Sequence, residues 1–283
     1  VQGHEVAAVV ERLGEGVAGP PPGRTVTLLP QMVCGLCGPC RRGDYHICDA
    51  LRVQGFQAPG CAQELFVAPA ERVIPLPEAF TLEQGALVEP AAVAVHAVAR
   101  GGPVAGRRAV VAGAGPIGNL VAQVARAEGA EVLVTDLSDY RLDVARQCGL
   151  EQTSNARREA LSDAVGRVLG PAGFDLAFEC VGLEDALDPL IRHVGKGGTI
   201  IVVGVFGERP RVDMGLVQDH ELTLRGTLMY RREDYERAVA LMQSGQVRTE
   251  PLVTMHFPFE RYADAYAAID HARDRVMKVF IDL

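Results

Sequence analysis

Four cysteines lie close together near the start of the sequence and could hold a metal ion. They are Cys34, Cys37, Cys40 and Cys48, separated by two, two and seven residues. Four thiolates at short spacing can surround one ion as a closed tetrahedron, which is how structural zinc is bound. An iron–sulfur cluster is the rival, but the bacterial ferredoxin pattern ends with an interval of three and a Cys-Pro pair. Asp49 follows the last cysteine here, so the pattern favours structural zinc over a cluster or four unliganded thiols.

The other cysteines point to a different role. Cys61, Cys148 and Cys180 lie among apolar residues and are predicted to be small core residues. A total of seven, with four crowded together, fits disulfide pairing poorly, so we expect a reducing, cytoplasmic compartment. His46 lies within the cysteine segment, and since four sulfurs already complete the ligand shell, we predict that it is a surface residue.

A glycine-rich turn between an apolar segment and a helical pattern predicts a dinucleotide site. Residues 108–112 are apolar, and the sequence GAGPIG follows them directly. The first glycine permits the tight turn, the second lets the backbone approach a pyrophosphate, and the third allows close packing of helix on strand. The helix N-terminus then offers N–H donors to the anion, although a turn that merely packs a helix is the alternative. The predicted cofactor residues here are Gly113, Gly115, Pro116, Ile117 and Gly118.

Asp136 ends the next apolar segment, 18 residues after the last glycine of the turn. An acidic residue at about this distance accepts the ribose hydroxyls of NAD and repels the 2′-phosphate of NADP. We therefore predict NAD, with an ordinary residue at the end of a strand as the alternative interpretation of Asp136.

The surrounding elements must position these residues. Short valine-rich runs at 6–10, 25–29 and 64–68 alternate with Gly and Pro and predict a β-rich region over 1–91. From residue 92 strands and helices alternate, which favours a parallel sheet covered on both faces. The predicted elements are a helix from Ala91 to Arg100, strands at 107–112, 131–135, 174–179, 198–203 and 221–225, helices at 117–128, 139–148, 183–193 and 233–244, and a strand, helix and strand over 251–283.

Four stretches resemble the medium-chain dehydrogenase/reductase superfamily, within it the zinc-dependent sorbitol, butanediol and threonine dehydrogenase group. They are Gly3-His4-Glu5, the cysteine run, residues 88–97 (VEPAAVAVHA) and residues 136–142 (DLSDYRL). The resemblance implies an α/β fold, in which a Rossmann doubly wound parallel sheet is inserted in a GroES-like, β-rich catalytic domain. We predict the catalytic domain at 1–91 and 232–283, with its structural zinc lobe at 34–48, and the Rossmann NAD-binding domain at 92–231.

The resemblance also implies roles for individual residues. His4, Glu5 and Glu89 would lie at a catalytic zinc, with Glu89 also close to substrate, and the activity would be oxidation of a secondary alcohol (a diol, polyol or similar) to a ketone by NAD. Met229 stands where sorbitol dehydrogenase has a polyol-binding arginine, which favours a smaller or less polar substrate. Further expected contacts are Ile117, Asp136 and Arg141 with NAD, Val203, Gly204 and Val205 beside the nicotinamide, and Met229 and Tyr230 in the substrate pocket. His96, on the apolar face of a helix, is interpreted as a hydrogen-bonded core histidine.

One family feature is missing from the sequence. The zinc-binding cysteine of the family precedes the Gly-His-Glu motif by several dozen residues, and the sequence starts at Val1. Cys61 is a poor substitute, so we expect the full protein to have a further N-terminal segment. A truncated or inactive NAD-binding member of the same fold is the alternative.

The bulk composition excludes several other classes. The net charge of −8 argues against a nucleic-acid binder, and no apolar run is long enough for a membrane span. Asp136 and the cysteines speak against a zinc-free, NADPH-dependent enone reductase. The expected partners are a small-molecule alcohol and further copies of the chain, as a homodimer or homotetramer.

Overall fold

The computed structural model describes all 283 residues. Its strands are β1 (Ala7–Val9), β2 (Thr25–Leu28), β3 (Gln31–Met32), β4 (Arg52–Val53), β5 (Val73–Pro75), β6 (Arg108–Ala112), β7 (Glu131–Asp136), β8 (Thr153–Asn155), β9 (Phe174–Glu179), β10 (Val194–Val202), β11 (Thr223–Gly226), β12 (Val253–Pro258) and β13 (Lys278–Asp282). Its helices are α1 (Gly38–Arg41), α2 (Leu82–Arg100), α3 (Pro116–Ala127), α4 (Asp139–Gln147), α5 (Leu161–Val168), α6 (Glu184–His193), α7 (Met214–Asp219), α8 (Arg232–Gln243) and α9 (Tyr262–Ala272).

A six-stranded parallel sheet forms the centre of the molecule. Its strand order is β11-β10-β9-β6-β7-β8, and every neighbouring pair is parallel. Apolar residues cover both of its faces, as expected for strands buried under helices on two sides. The order reverses between β6 and β9, so the carboxyl ends of these two strands border the crevice in which doubly wound folds bind ligands. The predicted doubly wound α/β fold is thereby confirmed.

Smaller sheets occupy the two ends of the chain. Strands β1, β2 and β5 form an antiparallel sheet, β3 pairs with β4, and β12 pairs with β13. The prediction of a strand at 64–68 is wrong, because these residues form no β-ladder and the side chains of Leu65 and Val67 are exposed. Strand β8 and helices α5 and α7, which are all short, were not predicted.

Helix α2 differs most from its predicted form. The Glu89-Pro90 pair suggested a start at Ala91, since proline disfavours a helical conformation in the residue before it. The helix instead begins at Leu82, where Thr81 and Gln84 form a reciprocal capping box, and it continues through Pro90. Its middle is buried against α3 and α8, and this packing offsets the loss of one helical hydrogen bond at the proline. Glu89 therefore lies inside a buried helix and not in a loop.

No helix combines the length and apolar character needed to cross a lipid bilayer.

Candidate active site

The four cysteines of the 34–48 segment, here called the cysteine lobe, converge as the spacing predicted. All four Sγ atoms lie within 4.8 Å of one another. The Sγ of Cys48 is 3.5 Å from that of Cys34 and 3.8 Å from that of Cys37. A tetrahedron with zinc–sulfur bonds of about 2.3 Å has edges of about 3.8 Å, so the thiols are already spaced to hold zinc.

Backbone N–H groups donate hydrogen bonds to two of these sulfurs. The amides of Leu36 and Cys37 donate to the Sγ of Cys34, and those of Cys34 and Ala50 donate to the Sγ of Cys48. The first two bonds are the main causes that lower the pKa of the Cys34 thiol to about 6. A metal binds the thiolate, so the donors at Cys34 favour the binding form of that residue.

His46 is not at the surface, and this prediction is wrong. Its side chain is buried against His96, with the ring centroids 4.6 Å apart, and its Nδ1 accepts a hydrogen bond of 3.3 Å from Arg231 Nε. The four sulfurs do complete a ligand shell, but Arg231 and His96, from distant parts of the chain, cover this side of the lobe. His96 is a buried histidine with its Nδ1 2.8 Å from Asp234 Oδ2, as predicted.

A second group of ligand atoms brings together residues that are far apart in the sequence. His4, Glu5 and Glu89 each place one ligand atom within 4.8 Å of the others. His4 Nε2 lies 4.0 Å from Glu89 Oε1. Burial lowers the pKa of His4, which favours the neutral imidazole that metals bind. Cys61 is buried but belongs to neither group, in agreement with its predicted role in the core.

Glu89 is the most deeply buried member of the group. Burial raises the pKa of its carboxyl group to about 8, and the nearby Glu5 also raises it. The hydroxyl of Tyr230 donates a hydrogen bond to Glu89 Oε1 and opposes this shift. Tyr230 is itself fully buried, and its hydroxyl contacts the Glu89 carboxylate from inside the fold.

Two neighbours of the group were missed from the sequence. Lys278 Nζ on β13 donates to Glu5, at 2.5 Å from its Oε1, and so balances the charge of that carboxylate. The exposed Phe56 ring lies 4.9 Å from the His4 ring, measured between centroids. Only the folded chain brings these residues to the site, and no local pattern marks either of them.

The glycine turn lies at the carboxyl end of β6 and leads into α3. Gly113 has a φ of +100°, which a side chain would disfavour. A Cβ at Gly118 would lie 1.9 Å from the Gly113 carbonyl oxygen, so only glycine allows this packing. A Cβ at Gly115 would meet no atom within 4 Å, because this glycine faces open space. Pro116 and Ile117 begin the helix, which places their N-terminal turn at the crevice.

Asp136 is fixed at the end of β7 by two backbone donors. Ala114 N donates to its Oδ2 at 2.7 Å, and Ser138 N donates to its Oδ1 at 2.8 Å. Each oxygen retains a lone pair for a further donor. The Nε of Arg141, in the first turn of α4, is buried without a partner. The structure therefore leaves a fixed acceptor at Asp136, where the sequence predicted a ribose contact, and an unsatisfied donor at Arg141, where the resemblance implied a contact with NAD.

Glu179 is a further residue of the crevice that the sequence analysis missed. It ends β9, is fully buried, and accepts hydrogen bonds of 2.8 Å from Val181 N and Gly182 N through Oε1. A Cβ at Gly204 would lie 2.7 Å from its Oε2, so the carboxylate fills the space beside the 203–205 loop. Val203 and Val205 flank Gly204 in this loop, and Val205 is almost fully exposed. A buried carboxylate at the end of a strand gives no distinct signal in the sequence.

Comparison with known proteins finds two family matches along the chain. Residues 1–78 match the alcohol dehydrogenase GroES-like domain, and residues 116–244 match the family of zinc-binding dehydrogenases. The 2-dehydro-3-deoxy-L-galactonate 5-dehydrogenase of Pseudoalteromonas atlantica is 37% identical over 268 residues, which are 95% of this chain and 78% of that protein. The chain belongs to the zinc-binding alcohol dehydrogenase family. The predicted resemblance is thereby confirmed.

Other members of the family are similar over most of their length. The L-threonine 3-dehydrogenase of Legionella pneumophila is 33% identical over 93% of this chain and 78% of that protein. An alcohol dehydrogenase of Escherichia coli CFT073, solved in complex with NADH, superposes with a TM-score of 0.92 at 26% identity. The superposition covers 100% of this chain and 84% of that one. These members of the zinc-binding dehydrogenase family are enzymes, and so is this chain.

Proposed function

We propose that the protein is a zinc-dependent dehydrogenase that transfers a hydride from a secondary alcohol to NAD and releases a ketone and a proton. The observation that carries the proposal is the convergence of His4, Glu5 and Glu89 in a chain that also has a glycine turn at the crevice of its parallel sheet. The names of the relatives, all of them dehydrogenases of small molecules, support the same reaction class.

The donor atoms fit two metal sites of different kinds. Four thiols form a closed shell, which suits a structural ion, whereas one imidazole and two carboxylates leave room for substrate. When bound, zinc would act as a Lewis acid on the alcohol oxygen, and the nicotinamide would accept the hydride. We assign His4, Glu5 and Glu89 to the reactive site and the cysteine lobe to a structural role.

Residues of the chain would prepare both the metal site and the cofactor site. Lys278 compensates the charge of Glu5, which reduces repulsion between the two carboxylates. Tyr230 holds the Glu89 carboxylate by its hydroxyl. Gly115 leaves space for a pyrophosphate, and the fixed carboxylate of Asp136 accepts ribose hydroxyls. Arg141, Glu179 and the 203–205 loop would border the cofactor.

We further propose a diol, polyol or related small alcohol as substrate, with Met229 and Tyr230 beside it. Met229 is partly buried and offers no charge to a long polyol, which favours a smaller or less polar molecule. The proposed division into a catalytic domain (1–91 and 232–283) and a cofactor domain (92–231), and assembly as a homodimer or homotetramer, accompany this function.

The first experiment measures zinc per chain in the purified protein, together with NADH formation from a panel of diols and polyols. We expect two zinc ions and a rise in NADH absorbance with at least one secondary alcohol. His4→Ala should remove one zinc ion and the activity, while the cysteine lobe keeps its metal. One zinc ion in the unaltered protein, or no oxidation of any alcohol, would contradict the proposal.

Asp136→Ala tests the choice of cofactor. Without the carboxylate, the repulsion of a 2′-phosphate is lost, and the preference for NAD over NADP should fall by roughly tenfold or more. Asp139→Ala, one turn away on the surface, is the matched control. An unchanged ratio of kcat/KM for the two cofactors would refute the role of Asp136.

A further inference from the structure

The segment Met229–Arg232, here called the tyrosine turn, has an unusual conformation. It connects the end of β11 to the start of α8. Met229 has a φ of +51°, in the left-handed region that residues other than glycine, asparagine and aspartate rarely adopt. Such a conformation costs free energy and persists only where surrounding contacts fix it.

The region around the cysteine lobe supplies these contacts. Gln31 Nε2 donates to the Tyr230 carbonyl oxygen at 2.6 Å, and the Tyr45 hydroxyl accepts from Arg232 N at 2.6 Å. The Arg231 guanidinium donates to the Asp44 carboxylate and, through Nε, to His46 Nδ1. Tyr45 and the two residues that accept from Arg231, Asp44 and His46, lie between Cys40 and Cys48. The loop that carries the cysteines therefore contacts the turn directly.

A closed ring of hydrogen bonds and one contact between histidine rings connects the lobe and the turn to two helices. His46 packs against His96 of α2, and His96 Nδ1 lies 2.8 Å from Asp234 Oδ2 of α8. The same oxygen of Asp234 accepts from Arg231 N at 2.7 Å. His46, His96 and Asp234 are all buried, so an unpaired member of the ring would be costly.

The other end of the same arrangement is the reactive site. Tyr230 immediately precedes Arg231, and its hydroxyl donates to Glu89. Glu89 and His96 are seven residues apart on α2, which places them on one face of the helix, two turns apart. The cysteine lobe and the His4–Glu5–Glu89 group are thus joined through the tyrosine turn and through α2.

We propose that Arg231 is a positioning residue, which holds the tyrosine turn against the cysteine lobe and thereby places the Tyr230 hydroxyl on Glu89. The inference goes beyond the proposed function by giving the lobe a part in the reactive site, and its catalytic consequence rests on that function. The structural part, the coupling of lobe and turn, is independent of any substrate.

Hydrogen exchange measured by mass spectrometry tests the coupling without substrate. Arg231→Gln removes the contacts of the guanidinium with Asp44 and His46. The backbone amides of residues 231 and 232 should then exchange about tenfold faster or more. Arg231→Lys should restore only part of the protection, since one ammonium cannot reproduce the planar guanidinium. The control is Arg237→Gln, which removes an exposed arginine of the same helix paired with Glu128. Unchanged exchange at the turn in Arg231→Gln would overturn the proposal.

A double-mutant cycle separates positioning from general destabilisation. Asparagine tolerates a positive φ, so Met229→Asn relieves the turn of its strain. If Arg231 acts by holding the strained turn, Arg231→Gln should speed exchange about tenfold in the protein that keeps Met229. In the Met229→Asn background the same substitution should speed exchange less than about threefold. An equal effect in both backgrounds, or loss of the lobe's zinc from Arg231→Gln, would assign Arg231 to the stability of the lobe instead.

Steady-state kinetics test whether Arg231 affects catalysis. With an alcohol that the unaltered enzyme oxidises, Arg231→Gln should lower kcat about tenfold with little change in the KM for NAD. Faster exchange with unchanged kcat would show that the coupling of lobe and turn has no effect on catalysis. If no alcohol is oxidised even by the unaltered protein, the proposed function fails, whereas the exchange result still decides the coupling.

Discussion

The cysteine lobe and the His4–Glu5–Glu89 group are both arranged to bind a metal, but they are built in opposite ways. The lobe takes all its ligands from fifteen consecutive residues, and its sulfurs are held by the amides of their own loop. The second group takes its residues from an N-terminal segment and the middle of α2, with support from β13 and the tyrosine turn. A local site can be recognised from spacing, whereas an assembled site depends on the whole fold.

The largest expected difference between the two is in stability. Cys37→Ser should release the lobe's metal and lower the free energy of unfolding by roughly 4 kcal/mol or more, because the ion closes the lobe. Denaturant unfolding with zinc analysis measures both quantities. The matched control is Cys61→Ser, a buried cysteine outside the lobe, which should keep the zinc. A stable Cys37→Ser protein would show that the lobe does not need its metal.

His4→Ala should have the converse effect. The imidazole is part of the reactive group but carries little of the core, so activity should fall more than about 100-fold while the midpoint of unfolding moves little. Activity assays and thermal unfolding on the same preparation test this. A large loss of stability would erase the contrast between a structural and a reactive site.

Two residues of the glycine turn allow a similar comparison of structural and binding roles within one local motif. Gly118→Ala forces a Cβ onto the Gly113 carbonyl oxygen and should cost about 2 kcal/mol of stability. Gly115→Ala meets no neighbouring atom, so the fold should be unaffected, whereas the Kd for NADH should rise. Denaturant unfolding and NADH titration separate the two. Equal effects of both substitutions on stability would refute the division of roles.

The smallest expected effects concern pH and have opposite signs in the two regions. Glu89 has its pKa raised by burial from 4.5 to about 8, so its contribution to stability is full below about pH 4.5 and is lost as the pH rises towards 8. His46 has its pKa lowered by burial from 6.5 to about 4, so its contribution is full above about pH 6.5 and is lost as the pH falls towards 4.

Denaturation curves from about pH 5 to about pH 8 test both signs. They are measured in a His4→Ala background, in which the reactive group holds no metal. Glu89→Gln should gain stability relative to its parent as the pH rises, and His46→Asn should gain as the pH falls. Parallel curves for a variant and its parent would show that the group in question does not titrate as its burial implies.

The sequence predicted the sheet well because its strands are long apolar runs between glycine turns. Strand β9 was predicted to the residue, and β6, β7 and α3 to within a residue or two. Helix α2 was misjudged because local preference at Pro90 was overridden by the capping box at Thr81 and by burial of the helix. The prediction of a strand at 64–68 failed because a short apolar run without a partner strand forms no ladder.

The candidate sites divide in the same way. The cysteines, the glycine turn and Asp136 could be recognised from their types and spacing. His4, Glu5 and Glu89 could be named only through a family resemblance, and Lys278 and Arg231 not at all, because their partners lie far away in the chain. The error at His46 has the same origin, since Arg231 and His96 cover it from distant positions. Glu179 was missed because its hydrogen bonds go to adjacent backbone amides, which no residue type marks in the sequence.

The ion pair between Glu5 and Lys278 has a consequence for the order in which the protein forms. It joins residues 273 positions apart, so it cannot close until Lys278 has left the ribosome. The cysteines of the lobe and the amides that donate to them lie between Cys34 and Ala50, so the lobe can take up its metal while synthesis continues. The reactive group therefore assembles after the cysteine lobe, and a nascent chain can bind zinc at its thiols before it has a site for substrate.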